Sequence, residues 1–304
     1  MGTNTKIEWT GATWNPLVGC SVVAAGCRNC YAMRMASRVE AMGTAPHYAG
    51  TTTRVNGKAV WTGKVNGAPE KIVLQPLRWK RPRRIFVNSM SDLFHESVPD
   101  EAIDRIFAVM ALCPQHTFQV LTKRPDRMRA YLSTPTRHDI IAARWNYHPS
   151  RPKGGDSRTA GLWPFPNVWL GTSVSTQADA DANIPHLLAT PAAVRFLSCE
   201  PLLGPVDLRG IWTHCPTHDF ASGFCVGPCP DRRRIDWVIC GGESGPKRRP
   251  IDLQWARSLR AQCAAAGVPF FFKQVDKVQP IPPDLMVREW PSSDKRTGGS
   301  DERK

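Results

Sequence analysis

The chain has 304 residues, with 40 Lys and Arg against 26 Asp and Glu, a formal charge of +14 with histidine neutral. Hydrophobic residues make up 41% and charged residues 22%, ordinary globular usage that excludes wholesale disorder. The 23 glycines and 27 prolines follow no fixed period, which excludes a collagen or solenoid repeat, and no stretch reaches the roughly 20 apolar residues of a membrane span.

In chain order, Met1 to Glu8 lack the apolar run of a signal peptide, so the expectation is a cytoplasmic protein with no membrane partner. A strand is predicted within 13–19 and a helix after Cys30. Residues 44–70, rich in Thr, Gly and Asn, read as an insertion. Then come a strand over 84–88, a helix over 100–112 and a strand over 117–121. A second insertion or lid covers 133–166, rich in Pro, Arg and Trp. It is followed by a strand over 168–172, a helix near 179–188 and a strand over 194–198. A third insertion, 211–234, carries its own Cys and His residues. The rhythm resumes with a strand over 237–240, a helix over 253–266 and a strand over 269–272. Residues 291–304 have almost no apolar content and are expected to be disordered. Short apolar runs alternating with amphipathic helices predict an α/β fold: a partial or complete (βα) barrel over 1–290 with loop insertions.

Each predicted strand ends in polar residues. Those ends are Asn88-Ser89-Met90-Ser91-Asp92, Thr122-Lys123-Arg124, Thr172-Ser173, Ser198-Cys199-Glu200, Gly241-Gly242-Glu243 and Lys273-Gln274. Parallel strands place all such ends on one side, where ligands bind. Any one alone reads as loop chemistry; six in succession point to one mouth. Asn88, Ser91, Thr172, Ser173, Gly241, Gly242 and Glu243 are therefore candidate cofactor-binding residues, and Asp92, Lys123 and Glu200 candidate catalytic ones. The paired glycines let backbone approach a ligand closely. Asp92 and Glu200 suit a ribose or a cationic amine, whereas Lys123 and Arg124 suit a carboxylate or phosphate.

The strongest chemical signal is Cys20, Cys27 and Cys30, a C-x6-C-x2-C arrangement with glycines at 19 and 26. Ten cysteines in a reducing compartment are not expected to pair as disulfides, so clustered ones point to metal. Three soft thiolates leave either a zinc site to be completed by a distant residue, or an iron–sulfur cluster with one open iron. A second set, Cys215, His218, Cys225 and Cys229, suits a small structural zinc site, with His214 and an auxiliary iron–sulfur cluster as alternatives. Cys113, Cys199, Cys240 and Cys263 sit in apolar contexts and read as buried hydrophobes, although Cys199 and Cys240 lie near strand ends where a catalytic thiol would fit.

Ile7-Glu8-Trp9-Thr10, Thr13-Trp14-Asn15-Pro16 and Gly26-Cys27-Arg28-Asn29-Cys30-Tyr31-Ala32 resemble the phage-encoded three-cysteine family of unknown function, which is similar to radical S-adenosylmethionine proteins. The resemblance continues through Asn88 to His95, Leu121 to Pro125, Gly171 to Val174, Ser198 to Leu202 and Gly241 to Gly245. It implies a radical-S-adenosylmethionine-like barrel in which Cys20, Cys27 and Cys30 hold a [4Fe-4S] cluster. The open iron of that cluster would chelate S-adenosylmethionine, and an electron donor would drive its cleavage to a 5′-deoxyadenosyl radical. Two departures stand out. Six residues separate the first two cysteines where three are usual, and Gly241-Gly242-Glu243 comes late in the chain, whereas the comparable motif follows the second strand.

Basic residues cluster at Arg78 to Arg84, Lys123 to Arg129, Arg232 to Arg234 and Lys247 to Arg249, the footprint of a nucleic-acid or phosphorylated partner. Trp79, Trp145, Trp163 and Trp169 are candidate stacking surfaces for bases. The expected function is a radical S-adenosylmethionine-like iron–sulfur enzyme that modifies or repairs a nucleic acid or nucleotide. The competing expectations are a non-catalytic zinc-containing nucleic-acid-binding protein and, less favoured by soft thiolates, a hydrolase using Asp92, His95, Glu200 or Glu243.

Overall fold

Short apolar runs supply the strands, and helices cover their outer face. The computed structural model describes residues 5–146, 163–210, 212–214 and 233–291. The first part of the chain forms β1 (Ala12–Trp14), β2 (Leu17–Val18), α1 (Tyr31–Ala41), β3 (Thr52–Val55), β4 (Lys58–Trp61), β5 (Asn66–Gly67) and α2 (Glu70–Val73). The middle forms β6 (Arg84–Val87), α3 (Asp100–Ala111), β7 (Thr117–Thr122), α4 (Pro125–Leu132), α5 (Arg137–Asn146), β8 (Val168–Ser173), α6 (Gln177–Ala189) and β9 (Val194–Cys199). The last part forms β10 (Thr213–His214), β11 (Arg233–Arg234), β12 (Trp237–Gly241), α7 (Leu253–Ala266) and β13 (Phe270–Gln274).

Seven strands pair in the order β1-β6-β7-β8-β9-β12-β13, all parallel. The sheet curls into a half-barrel with β1 and β13 as its edges. Of the two forms expected, this is the partial one. The pleat divides each strand between two cores. Ile85, Val87, Phe118, Val120, Val238 and Phe270 join the main core under the helices. Phe86, Trp169, Phe196, Trp237 and Phe271 face the concave side, where they pack with Trp9 into an aromatic plug. Trp237 is central to that plug, with edge-on contacts to Trp9 at 6.3 Å, Trp169 at 6.0 Å and Phe271 at 6.2 Å. Gly171 is required by this packing, because a Cβ there would lie 2.5 Å from the Phe196 ring.

The open edge of β13 is covered by the chain that follows it. Phe272 N donates to Val287 O at 3.0 Å and Glu289 N to Phe270 O at 3.1 Å, while the Trp237 indole donates to Glu289 O at 2.8 Å. Capping this edge removes a template for unwanted strand pairing.

Residues 44–70 depart from the βα rhythm as expected, yet they are structured. The β3–β4 hairpin and the β2–β5 pair bring Tyr48 and Trp61 against Met33 and Ala36 of α1, forming a third small core. Within 133–166, α5 packs on α3 through Arg137, which donates to Asp104 at 2.9 Å and Asp100 at 2.8 Å. In the third insertion β10 and β11 form a stem. Its candidate ligands Cys215, His218, Cys225 and Cys229 lie outside the described residues, as do 292–304. Among the described residues no helix is long and apolar enough to cross a membrane.

Candidate functional site at the mouth of the half-barrel

Above the aromatic plug, the C-terminal strand ends enclose a cavity of about 220 Å³, far more than the roughly 10–15 Å³ that one water needs. Its floor includes Trp9 and Phe86, and its walls include Asn88, Ser173, Ser198, Glu200 and Lys273. Cys20, Cys27 and Cys30 all line it. The expectation that the polar strand ends share one mouth therefore holds for Asn88, Ser91, Asp92, Lys123, Ser173, Glu200, Gly242 and Glu243. Thr172 and Gly241 do not line it, and the Thr172 hydroxyl instead donates to Thr122 O at 3.0 Å.

The three cysteines sit on the connection from β2 to α1, and this loop is tied down at both ends. On the β6–β7 side, Arg124 donates to the Ser21 hydroxyl at 2.6 Å, to Glu96 at 2.6 Å and to Asp92 at 3.1 Å, and its guanidinium reaches Cys20 Sγ at 4.0 Å. His95 Nε2 meets the same Ser21 hydroxyl at 3.0 Å. On the β12 side, Asn29 donates to Glu243 Oε2 at 2.9 Å and to Lys247 O at 3.3 Å. Arg249 donates from its backbone and side chain to Glu243, and reaches Ala25 O at 3.0 Å. Burial alone would raise the Glu243 pKa, but Arg249 and Asn29 outweigh it and hold the carboxyl below its usual range.

These contacts reassign several candidates. Both oxygens of Glu243 already accept hydrogen bonds, so in this structure the residue closes the loop and offers no open carboxylate to the cavity. Asp92 is likewise occupied, accepting from the Thr122 hydroxyl at 2.7 Å, Lys123 N at 2.9 Å and Phe94 N at 3.0 Å. Glu200 lies 2.9 Å from Lys273 Nζ, a half-buried ion pair in the cavity wall. Besides Glu200 Oε1, which has only the Lys273 ion pair, three buried polar atoms of lining residues have no hydrogen-bond partner among the described residues: Trp9 Nε1, Asn88 Nδ2 and Gln274 Oε1. Asn88 also adopts φ 57°, a left-handed conformation that Asn tolerates better than most residues. Asn29, Arg249 and Gln274 did not stand out individually in the sequence, because their partners are 214, 6 and 32 residues away.

Burial pushes the Cys20 thiol up to about 12, against the lowering pull of Arg124, and raises Cys30 as well. Among the described residues no three His, Cys, Asp or Glu side chains converge as ligands of a single ion. A cubane is a larger object, in which each thiolate binds a different iron, so its ligands surround a volume. Cys199 and Cys240 are neighbours in register and belong to the core under the helices, where burial raises both thiols. They do not line the cavity, contrary to the catalytic alternative.

The basic clusters also separate. Arg78 to Arg84 lead into the start of β6, and Arg233 and Arg234 precede β12, so both groups lie at the end of the sheet opposite the mouth. Trp79 and Trp169 are buried in the cores and cannot serve as base-stacking surfaces.

Residues 4–297 match the family model described as Protein of unknown function (DUF5131). The chain belongs to the DUF5131 family. Neither a curated protein nor a solved structure matches it. The match takes in the whole half-barrel, both anchors of the cysteine loop and the strand-like cover on β13.

Proposed function

We propose that this DUF5131 protein is a radical S-adenosylmethionine-type iron–sulfur enzyme acting on a nucleic acid or nucleotide. The observation that carries this reading is that one tethered loop brings Cys20, Cys27 and Cys30 to the mouth of a parallel half-barrel. The donor set fits a [4Fe-4S] cluster: three soft thiols, with every other described cysteine except Cys113 packed in the core behind β9, β12 and α7, and Cys113 buried beside α3. When bound, such a cluster and S-adenosylmethionine supply one-electron cleavage of the sulfonium and a carbon radical that abstracts hydrogen.

The residues of the chain supply the surroundings. Arg124 and Glu243 fix the loop, the aromatic plug closes the bottom of the cavity to water, and Asn88 Nδ2 and Gln274 Oε1 offer one donor and one acceptor to a polar ligand. The Glu200–Lys273 pair sets opposite charges side by side, and Lys123 adds a further cation to the lining.

Metal and acid-labile sulfide analysis of anaerobically purified protein tests this. About four irons and four sulfides per chain are expected, with a broad visible absorption band and cleavage of S-adenosylmethionine on reduction. All should be lost when Cys20, Cys27 or Cys30 is changed to Ala. Zinc without iron after anaerobic reconstitution would overturn the proposal in favour of a zinc-containing nucleic-acid-binding protein.

A further inference from the structure

The six-residue spacer between Cys20 and Cys27 has an exposed apolar tip. Val22 and Val23 are 49% and 50% exposed, although Ser21 on one side and Gly26 on the other both line the cavity. Two adjacent valines held half in water at the lip of a polar mouth gain nothing for the fold. The loop beneath them is fixed by Arg124 and Arg249, so the tip is presented on a braced support.

Around the same lip lie cations that the fold does not use. Arg28 is exposed between two cavity-lining residues, Cys27 and Asn29. Arg34 projects from α1 so that its guanidinium crosses Gly245, next to lining Ser244. Lys247 is exposed, and its carbonyl is held by Asn29. Lys123 lines the cavity itself, close enough to Cys30 to pull against the burial that raises that thiol. Among the described residues none of these four makes a salt bridge, whereas Arg124, Arg248 and Arg249 are each paired with a carboxylate. The nearby acids are already engaged: Glu96 by Arg124, and Glu40 by Gly50 N and the Thr52 hydroxyl.

We infer that this lip is a polynucleotide-docking surface, with Arg28, Arg34, Lys123 and Lys247 on phosphates and the Val22–Val23 tip wedged between stacked bases. This deepens the functional reading above by naming a polymer, not a free nucleotide, as the partner. Apolar side chains inserted at a base step unstack it, and an unstacked base is the form that a cavity can receive. The aromatic floor and the unpartnered Asn88 Nδ2 and Gln274 Oε1 suit a planar heterocycle with edge donors and acceptors. A free nucleotide would need the cavity but neither the apolar tip nor cations spread from α1 to the loop after β12.

The test uses the full chain, purified anaerobically with no S-adenosylmethionine added, and short DNA and RNA oligonucleotides carrying one 2-aminopurine. Binding should weaken with salt along a log–log slope of about −3 to −4. Arg28→Ala, Arg34→Ala and Lys247→Ala should each reduce that slope by about 1. The 2-aminopurine fluorescence should rise on binding, and Val22→Ser/Val23→Ser should abolish the rise while changing affinity by less than about fivefold. DNA and RNA arms differing in affinity identify which polymer is taken. The inference is overturned if a mononucleotide binds as tightly as the oligomers, if the cation variants leave the slope unchanged, or if the serine variant keeps the fluorescence rise. Iron analysis is independent of these readouts, so loss of the docking surface and loss of the radical reading are told apart.

Discussion

Arg124 and Glu243 do most of the work of holding the three cysteines, and each does so with its charge largely out of water. Arg124 is 8% exposed and Asp92 5%, so removing the guanidinium strands a buried carboxylate. In metal-free protein, Arg124→Met should cost about 3 kcal/mol, read from urea denaturation, whereas Cys20→Ala should cost much less. Equal losses would place the stability in the thiol and contradict the network. Glu243 gives a pH signature. Its carboxyl is held below the ordinary value of 4.5, so its contribution is present above that value and lost as pH falls through the depressed one. Glu243→Gln should lower the urea midpoint near neutral pH, and the two proteins should converge in acid, where both carry an uncharged group. Midpoints that stay parallel into the acid range would sink the assignment.

At the scale of elements, the strands were legible because their residues obey two simple periods. Runs such as Arg84–Val87 and Trp237–Gly241 are apolar on both faces, as a parallel strand covered on both sides must be. The cysteine loop was legible from spacing alone. What could not be read was the clasp that holds it: Asn29 and Glu243 are 214 residues apart, and nothing local marks an Asn as a carboxylate's partner. Glu243 looked like a ligand group for the same reason, since a strand-end acid after two glycines has the same sequence whether it faces a ligand or an arginine. The helix over Arg137–Asn146 hid inside a Pro- and Arg-rich stretch because its anchor, Arg137, is charged and finds Asp100 and Asp104 on another helix. Tight packing makes one further element-scale prediction. Gly171→Ala should cost roughly 1–3 kcal/mol by overpacking against Phe196, and Phe196→Leu should recover part of it. A thermal shift unaffected by the second substitution would refute the contact as the cause.

For the molecule as a whole, the half-barrel leaves two sheet edges, and the chain itself covers one of them. Deleting everything after Leu285 removes the carbonyl that the Trp237 indole uses, the pairing on β13 and the Trp290 contact with Phe271 at 5.1 Å. The truncated protein should aggregate or lose cooperative unfolding, as judged by size-exclusion chromatography and circular dichroism. A monomeric product with an unchanged melting curve would show the cover to be dispensable.

The two-ended tether of the cysteine loop also imposes an order in time. Asn29 and Ala25 are made long before their partners Glu243 and Arg249, which follow more than 200 residues later. At about 5–20 residues per second, a nascent chain spends ten seconds or more with its three thiols translated and this second tether unmade. A group held at the proposed site would therefore be secured only once the chain has been made through Arg249, and ribosome-stalled chains ending before Glu243 should not retain it.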